Sequence, residues 1–179
     1  RRKLGERVYD LVIVDSPATG HGITFLRTPA EFESLARVGP LSNQAGRIAR
    51  TLSDHRSSGI VVVSQPEEMA VSEAILLEQS LGEGDGGSGF AIDRHYVNGV
   101  RPDRFSGEEL VTVGGLTDGG GGIGVAARAA LSESATAASQ REQLRRLEAE
   151  AAARVTEIPF LYDPEIGPGQ LARLSEEVR

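Results

Sequence analysis

The stretch YDLVIVDSPATGHGITFL, residues 9–26, runs from four consecutive aliphatic residues into an aspartate and then into a segment with two glycines. The aliphatic residues 11–14 show no polar alternation, which predicts a strand buried on both faces in the middle of a parallel α/β sheet. Asp15 then lies at the carboxyl end of this strand, at the edge where open α/β sheets bind their ligands. The stretch therefore predicts both a fold class and a position for a ligand.

The rest of the chain alternates strands with helices. Three further strands are predicted from apolar segments at residues 59–65, 90–98 and 155–163. This alternation predicts a single α/β domain built on a three-layer parallel sheet flanked by helices. Thr28 and Pro29 resemble the cap and first turn of the first helix. The predicted helices lie near residues 29–37, 41–56, 66–81, 125–153 and 167–178.

Two glycine-rich segments are predicted to be connections. Residues 82–89 read as a turn or flexible connection, and residues 112–124 as a mobile loop. Within the second segment, GGGGIG at 119–124 also satisfies the dinucleotide fingerprint G-x-G-x-x-G. No convincing strand precedes it and no acidic residue closes a strand about 20 residues later, so a flexible loop is the favoured interpretation.

Composition argues against several classes of function. The 179 residues include 19 basic and 26 acidic residues, a net charge of −7 and 4% aromatic residues, which disfavours nucleic-acid binding. The absence of cysteine excludes disulfides, thiolate zinc sites and cysteine nucleophiles within this sequence. The apolar runs are far shorter than the roughly 20 residues of a spanning helix, and no signal-peptide pattern is present. We therefore expect a cytoplasmic protein that does not span a membrane.

Asp15 allows two interpretations. A carboxylate at a strand end, followed by a glycine-containing loop, is the arrangement of a Walker-B-type residue that holds Mg²⁺ beside nucleotide phosphates. The alternative is an aspartate whose side chain caps the next turn. Thr19 and His21, each followed by a glycine, add a hydroxyl and an imidazole suited to contact with a phosphate, although a histidine here is more often structural.

Residues 9–29 resemble the switch II signature of the ArsA-like ATPases, the arsenical pump-driving and tail-anchored-protein-targeting family. The usual form of that signature is a buried strand followed by Asp-Thr-Ala-Pro-Thr-Gly-His-Thr. Asp15, Thr19, Gly20 and His21 match it. The resemblance implies that these four residues are catalytic and that Asp15 also binds the metal.

The sequence departs from this signature at Ser16, at the reversed pair Pro17 and Ala18, and at Gly22. The likeness nevertheless continues in sequence order over most of the chain. The later segments that are similar to strands and loops of the family are VVVSQPEEMAVSEA, YVNGV and IPFLYDPEIG.

The resemblance implies a P-loop NTPase-like fold that binds ATP and Mg²⁺. A Walker-A motif G-x-x-x-x-G-K-[ST] cannot be written anywhere in this chain, because Lys3 is its only lysine. The opening RRKLGERVYD also lacks a methionine. We therefore expect residues 1–179 to be the carboxyl-terminal portion of one ATPase domain, a partial domain without the phosphate-binding loop.

The resemblance also implies a base pocket. Asn98 would read the edge of adenine, and Pro159 with Phe160 would lie on the loop beside the base. Without the resemblance, Asn98 followed by Gly99 is also the pattern of an ordinary turn.

Two functions remain open from the sequence. The first is an ATP-hydrolysing subunit that couples hydrolysis to transport or targeting, as a homodimer or a heterodimer with a related ATPase and with a membrane protein as a candidate partner. The second is a non-hydrolysing regulatory or scaffold paralogue with a degenerate nucleotide site, in which the 125–153 helix is an interaction surface.

Overall fold

The computed structural model describes residues 9–17, 19–36, 38–82, 90–163 and 165–178. The chain divides into two compact units, residues 1–50 and residues 51–179. The first unit consists mainly of helices, and the second contains a parallel sheet. The predicted turn at residues 82–89 falls almost wholly outside the described residues.

The first unit contains helix α1, Thr19–Ala36, and most of helix α2, Pro40–Ser53. The guanidinium of Arg50 on α2 lies 3.3 Å from the carboxylate of Glu33 on α1 and joins the two helices. Pro40 begins α2, a position where its fixed backbone angle suits a helix and its missing N–H is not needed.

The buried strand predicted at residues 11–14 is wrong. Residues 11–17 have no regular secondary structure, and the side chains of Leu11 and Ile13 are 75% and 84% exposed. A parallel strand is stable only when a neighbouring strand satisfies its backbone groups, and an apolar run cannot supply that neighbour. In the described residues, the sheet is formed by later segments of the chain.

The predicted start of the first helix at Thr28 and Pro29 is also wrong. Helix α1 begins at Thr19 and contains Pro29 in its interior, so the segment predicted as a loop is helical from Thr19 onward. The hydroxyl of Thr28 donates to the backbone carbonyl of Thr24 at 2.6 Å, as helical threonines commonly do, and does not cap a helix. Proline inside a helix removes one hydrogen bond and crowds the carbonyl four residues earlier, but α1 accommodates Pro29, so this proline does not mark a helix start.

The second unit confirms the predicted α/β class. In its described residues the strands are β1, Val61–Ser64, β2, Arg94–Val100, and β3, Arg154–Pro159. They pair in parallel in the order β1-β2-β3, so β2 is central. The small sheet is flanked by helices, as the alternating pattern predicts.

Helices α3, Glu68–Gly82, and α5, Gly122–Glu150, cover one face of this sheet, and α6, Pro168–Glu177, contacts β3. The two longer helices contact each other as well as the strands, so their apolar stripes and the covered sheet face form one core. The most deeply buried side chains of this core are Val71, Leu81, His95, Val97, Ala137 and Leu147.

The mobile loop predicted at residues 112–124 is wrong at both of its ends. Helix α4 covers Gly107–Gly114, turns follow, and α5 begins at Gly122. A capping box fixes the start of α4, because the hydroxyl of Ser106 accepts from the backbone N–H of Glu109 while the Glu109 carboxylate accepts from the backbone N–H of Ser106. The hydrogen bond from the backbone N–H of Ser106, followed by a second one donated by its hydroxyl, lowers the pKa of the Glu109 carboxyl.

Among the described residues, no helix combines the length and the apolar composition that crossing a membrane requires.

Candidate functional site

The carboxyl ends of β2 and β3 bring the three predicted base-pocket residues together. In the register of the two strands, Asn98 is opposite Ile158, and Val100 is opposite Pro159. The backbone N–H of Phe160 then donates to the carbonyl of Val100 at 2.9 Å, which extends the pairing by one residue. Residues that are some 60 positions apart in sequence therefore lie on neighbouring strand ends, at the edge of a parallel sheet that commonly binds ligands.

Asn98 does not form the Asn-Gly turn that the sequence also allowed. It lies within β2, and its side chain is exposed. The strand continues through Gly99, which has a φ of +85°, and the pairing with β3 is irregular at this point. This left-handed backbone conformation favours glycine. It changes the direction of β2 next to the predicted base-pocket residues.

Phe160 packs against this irregularity. A Cβ placed on Gly99 would lie 3.8 Å from Cδ2 of Phe160, an ordinary van der Waals distance, so the ring lies on the side of β2 toward which a side chain at this position would point. The side chain remains 36% exposed. Phe160 thus presents a partly open aromatic surface at the end of the sheet where β2 and β3 stop.

Two arginines and a tyrosine complete the surroundings of Phe160. The guanidinium of Arg101 lies 4.5 Å from the centroid of the Phe160 ring, and that of Arg104 lies 4.2 Å from the Tyr162 ring. The rings of Phe160 and Tyr162 meet edge to face, with centroids 4.8 Å apart and an interplanar angle of 70°. These are favourable cation–π and aromatic geometries. We call Arg101, Arg104, Phe160 and Tyr162 the aromatic cluster.

The carboxylate of Glu133 on α5 binds two members of the aromatic cluster. One oxygen of its carboxylate accepts from Arg101, and the other accepts from the hydroxyl of Tyr162. The hydrogen bond from Arg101, followed by that from Tyr162, lowers the pKa of Glu133. Burial, followed by the hydrogen bond to Glu133, raises the pKa of Tyr162, and the same carboxylate raises the pKa of Arg101.

Sequence reasoning missed Arg101, Arg104, Tyr162 and Glu133. Two of them had a local signal, because Arg101 directly follows the end of β2 and Tyr162 lies two residues beyond Phe160. Glu133 had none, since it is one of several acidic residues on a long charged helix.

The arrangement suits a flat, partly polar ligand. An aromatic ring stabilised by a guanidinium can stack on a planar base, and stacking of this kind contributes about 1–3 kcal/mol. A neighbouring amide can donate one hydrogen bond to the ligand edge and accept another. The site has both features within a few residues of one sheet edge.

The four residues of the switch II resemblance all belong to the first unit, whereas the base-pocket residues belong to the second. Asp15 is exposed in the irregular segment, and Thr19, Gly20 and His21 form the first turn of α1. The side chain of His21 is exposed. Within the described parts of the chain, no three histidine, aspartate or glutamate side chains gather into a group that could hold a metal ion.

The G-x-G-x-x-G match at 119–124 has a packing explanation. It follows helix α4 and not a strand. A Cβ on Gly124 would lie 2.5 Å from the carbonyl oxygen of Gly119 and 2.7 Å from that of Thr117, so only glycine lets the turn approach α5 this closely. Arg128 also donates to the Thr117 carbonyl at 2.6 Å. These contacts explain Gly124 by packing and not by contact with a nucleotide.

A comparison of the sequence with models of known protein families finds no match, and a comparison with curated proteins also finds none.

Proposed function

We propose that this chain is an adenine-nucleotide-binding part of an ATPase of the ArsA-like type, with a P-loop NTPase-like, three-layer fold in the complete domain. The single observation that supports the proposal most strongly is the register of β2 and β3, in which Asn98 is opposite Ile158 and Val100 is opposite Pro159 at the carboxyl ends of two parallel strands. An adenine that stacks on Phe160 can exchange two hydrogen bonds with the Asn98 amide.

The catalytic roles in this proposal come from the resemblance of the switch II segment. In this proposal Asp15 would hold Mg²⁺, directly or through water, and Thr19, Gly20 and His21 would contact the phosphates of the nucleotide. In this proposal, other sequence or another subunit supplies the phosphate-binding loop with its lysine. The same holds for the residue that positions the attacking water. The protein works in the cytoplasm as a homodimer or as a heterodimer with a related ATPase. ATP hydrolysis is coupled to the action of a partner protein in transport or targeting.

The replacement of Asn98 by alanine tests the base assignment. In the complete protein, Asn98→Ala should weaken ATP binding by about 1–3 kcal/mol, because the donor and acceptor of the bound adenine edge lose their partner. The preference for ATP over GTP should narrow, since guanine presents the reverse pattern of donors and acceptors. Titration of both nucleotides against wild type and variant measures both effects.

Asn43→Ala is the matched control, because Asn43 is also an exposed asparagine but lies on α2 in the first unit. It should bind both nucleotides like the wild type. An equal loss of ATP and GTP affinity in Asn98→Ala, or no loss, would count against Asn98 as the base-reading residue.

A further inference from the structure

Phe160 is held in one orientation by contacts from several directions. Its backbone N–H donates to the carbonyl of Val100, the guanidinium of Arg101 lies over one face of its ring, and the Tyr162 ring meets it edge to face. Arg101 and Tyr162 come from two different loops, one after β2 and one after β3. Glu133 is the group that joins the two side chains.

The backbone of the first loop is held independently of Glu133. The backbone N–H of Arg101 donates to the side chain of Gln140 at 2.8 Å. Gln140 also belongs to α5 and lies about two helical turns after Glu133. Loss of the Glu133 carboxylate would therefore release the side chains of Arg101 and Tyr162 while the loop backbone stays attached to α5. The function of Glu133 can thus be separated from the folding of the loop.

We propose that Glu133 is a positioning residue of the base site, which fixes the plane of the Phe160 ring through Arg101 and Tyr162. This inference rests on the proposed function, because the ligand is the adenine nucleotide that the function assigns. An unrestrained phenylalanine would lose side-chain freedom when a base stacks on it, and the carboxylate removes much of that cost in advance. The charge of Glu133 matters more than its shape, since it balances a guanidinium that is itself partly buried.

The test is Glu133→Gln in the complete protein, with ATP and GTP as probes. Glutamine keeps the size of the side chain but removes the charge that holds Arg101. We expect the affinity for ATP to fall about 3- to 10-fold, a range set by the loss of a charge-assisted hydrogen bond at a partly exposed site. GTP affinity should fall by a similar factor, because stacking on Phe160 does not distinguish the two purines.

Glu142→Gln is the matched control. Glu142 lies on the same helix and is paired with Arg145 at 3.2 Å. Both side chains are largely exposed, and among the described residues this pair makes no ion pair with the aromatic cluster. This variant should bind both nucleotides as the wild type does. A wild-type affinity of Glu142→Gln for both nucleotides would show that losing a carboxylate from α5 is not by itself sufficient to weaken binding.

A second variant, Tyr162→Phe, removes only the hydroxyl that donates to Glu133 and protects the test against a folding defect in Glu133→Gln. It should weaken ATP binding about 2- to 5-fold, and the double variant should lose less than the product of the two single losses. Ultraviolet titration of the tyrosines gives a readout without nucleotide. The Tyr162 phenol should ionise at lower pH in Glu133→Gln than in the wild type.

The outcomes distinguish the two proposals. Wild-type affinity in Glu133→Gln together with wild-type affinity in Tyr162→Phe would overturn the positioning role while leaving the proposed function intact. A wild-type protein that binds neither nucleotide would overturn the proposed function, and this inference with it. Weakened ATP binding in both variants, with normal binding by Glu142→Gln, supports the inference.

Discussion

At the scale of single residues, Glu78 has a structural role comparable to that of Glu133. Its carboxylate accepts from the backbone N–H groups of Ala152 and Ala153 at 3.1 and 2.9 Å and lies 3.3 Å from Nε2 of His95. His95 is completely buried in the core. One side chain of α3 therefore satisfies polar groups on β2 and on the connection from α5 to β3.

Glu78→Ala should lower the free energy of unfolding by about 2–4 kcal/mol, because it leaves a buried imidazole and two backbone donors without their acceptor. Urea unfolding of wild type and variant measures the change. Glu73→Ala on the exposed side of the same helix should change it by less than about 0.5 kcal/mol. Equal stability of the two variants would show that water replaces the carboxylate at no cost.

At the scale of elements, the connection between α4 and α5 is held by a close approach of backbone to helix. Gly124→Ala should destabilise the protein by about 1–3 kcal/mol, because its Cβ would meet the carbonyl oxygens of Gly119 and Thr117. Thermal unfolding measures the loss. Gly122→Ala, two residues earlier on the same helix, has no atom within 4 Å of its Cβ and should be neutral or slightly stabilising.

The same pair of variants tests the nucleotide interpretation of the glycine-rich segment. If Gly124→Ala keeps wild-type stability but loses nucleotide binding, the packing explanation is wrong and the fingerprint interpretation returns.

At the scale of the whole molecule, the folded state depends on carboxylates whose pKa values are lowered. Glu109 is hydrogen-bonded to Ser106, and Glu133 is paired with Arg101 and Tyr162. A lowered pKa means that the folded protein binds fewer protons than the unfolded chain. The resulting stabilisation is fully present above the unfolded pKa of about 4.3 and is lost as the pH falls through the lower folded values.

We therefore expect the free energy of unfolding to decrease between about pH 5 and about pH 3, and to decrease less steeply in Glu133→Gln. Urea unfolding at a series of pH values measures the slope. Glu142→Gln should keep the slope of the wild type. A Glu133→Gln slope equal to that of the wild type would show that this carboxylate has the same pKa in both states.

Local patterns predicted much of the second unit. The strand predicted at β1 and the helices predicted at α5 and α6 each depend on neighbouring residues only, and the structure confirms all three. The capping box of α4 was also readable as Ser106 followed three residues later by Glu109, but the glycines after it favoured a loop. The prediction failed at α4 because the capping box indicated a helix and the following glycines indicated a loop.

The sequence by itself determined the α/β class, because the alternation of apolar strands and helices is a local pattern. Only the tertiary structure decided that residues 11–14 are not part of the described sheet, because strand formation needs a partner that an apolar run does not specify. Only the tertiary structure placed Glu133 between Arg101 and Tyr162, which are 32 and 29 residues away along the chain. Such contacts arise when α5 packs on β2 and β3, and no local pattern of residues encodes that packing.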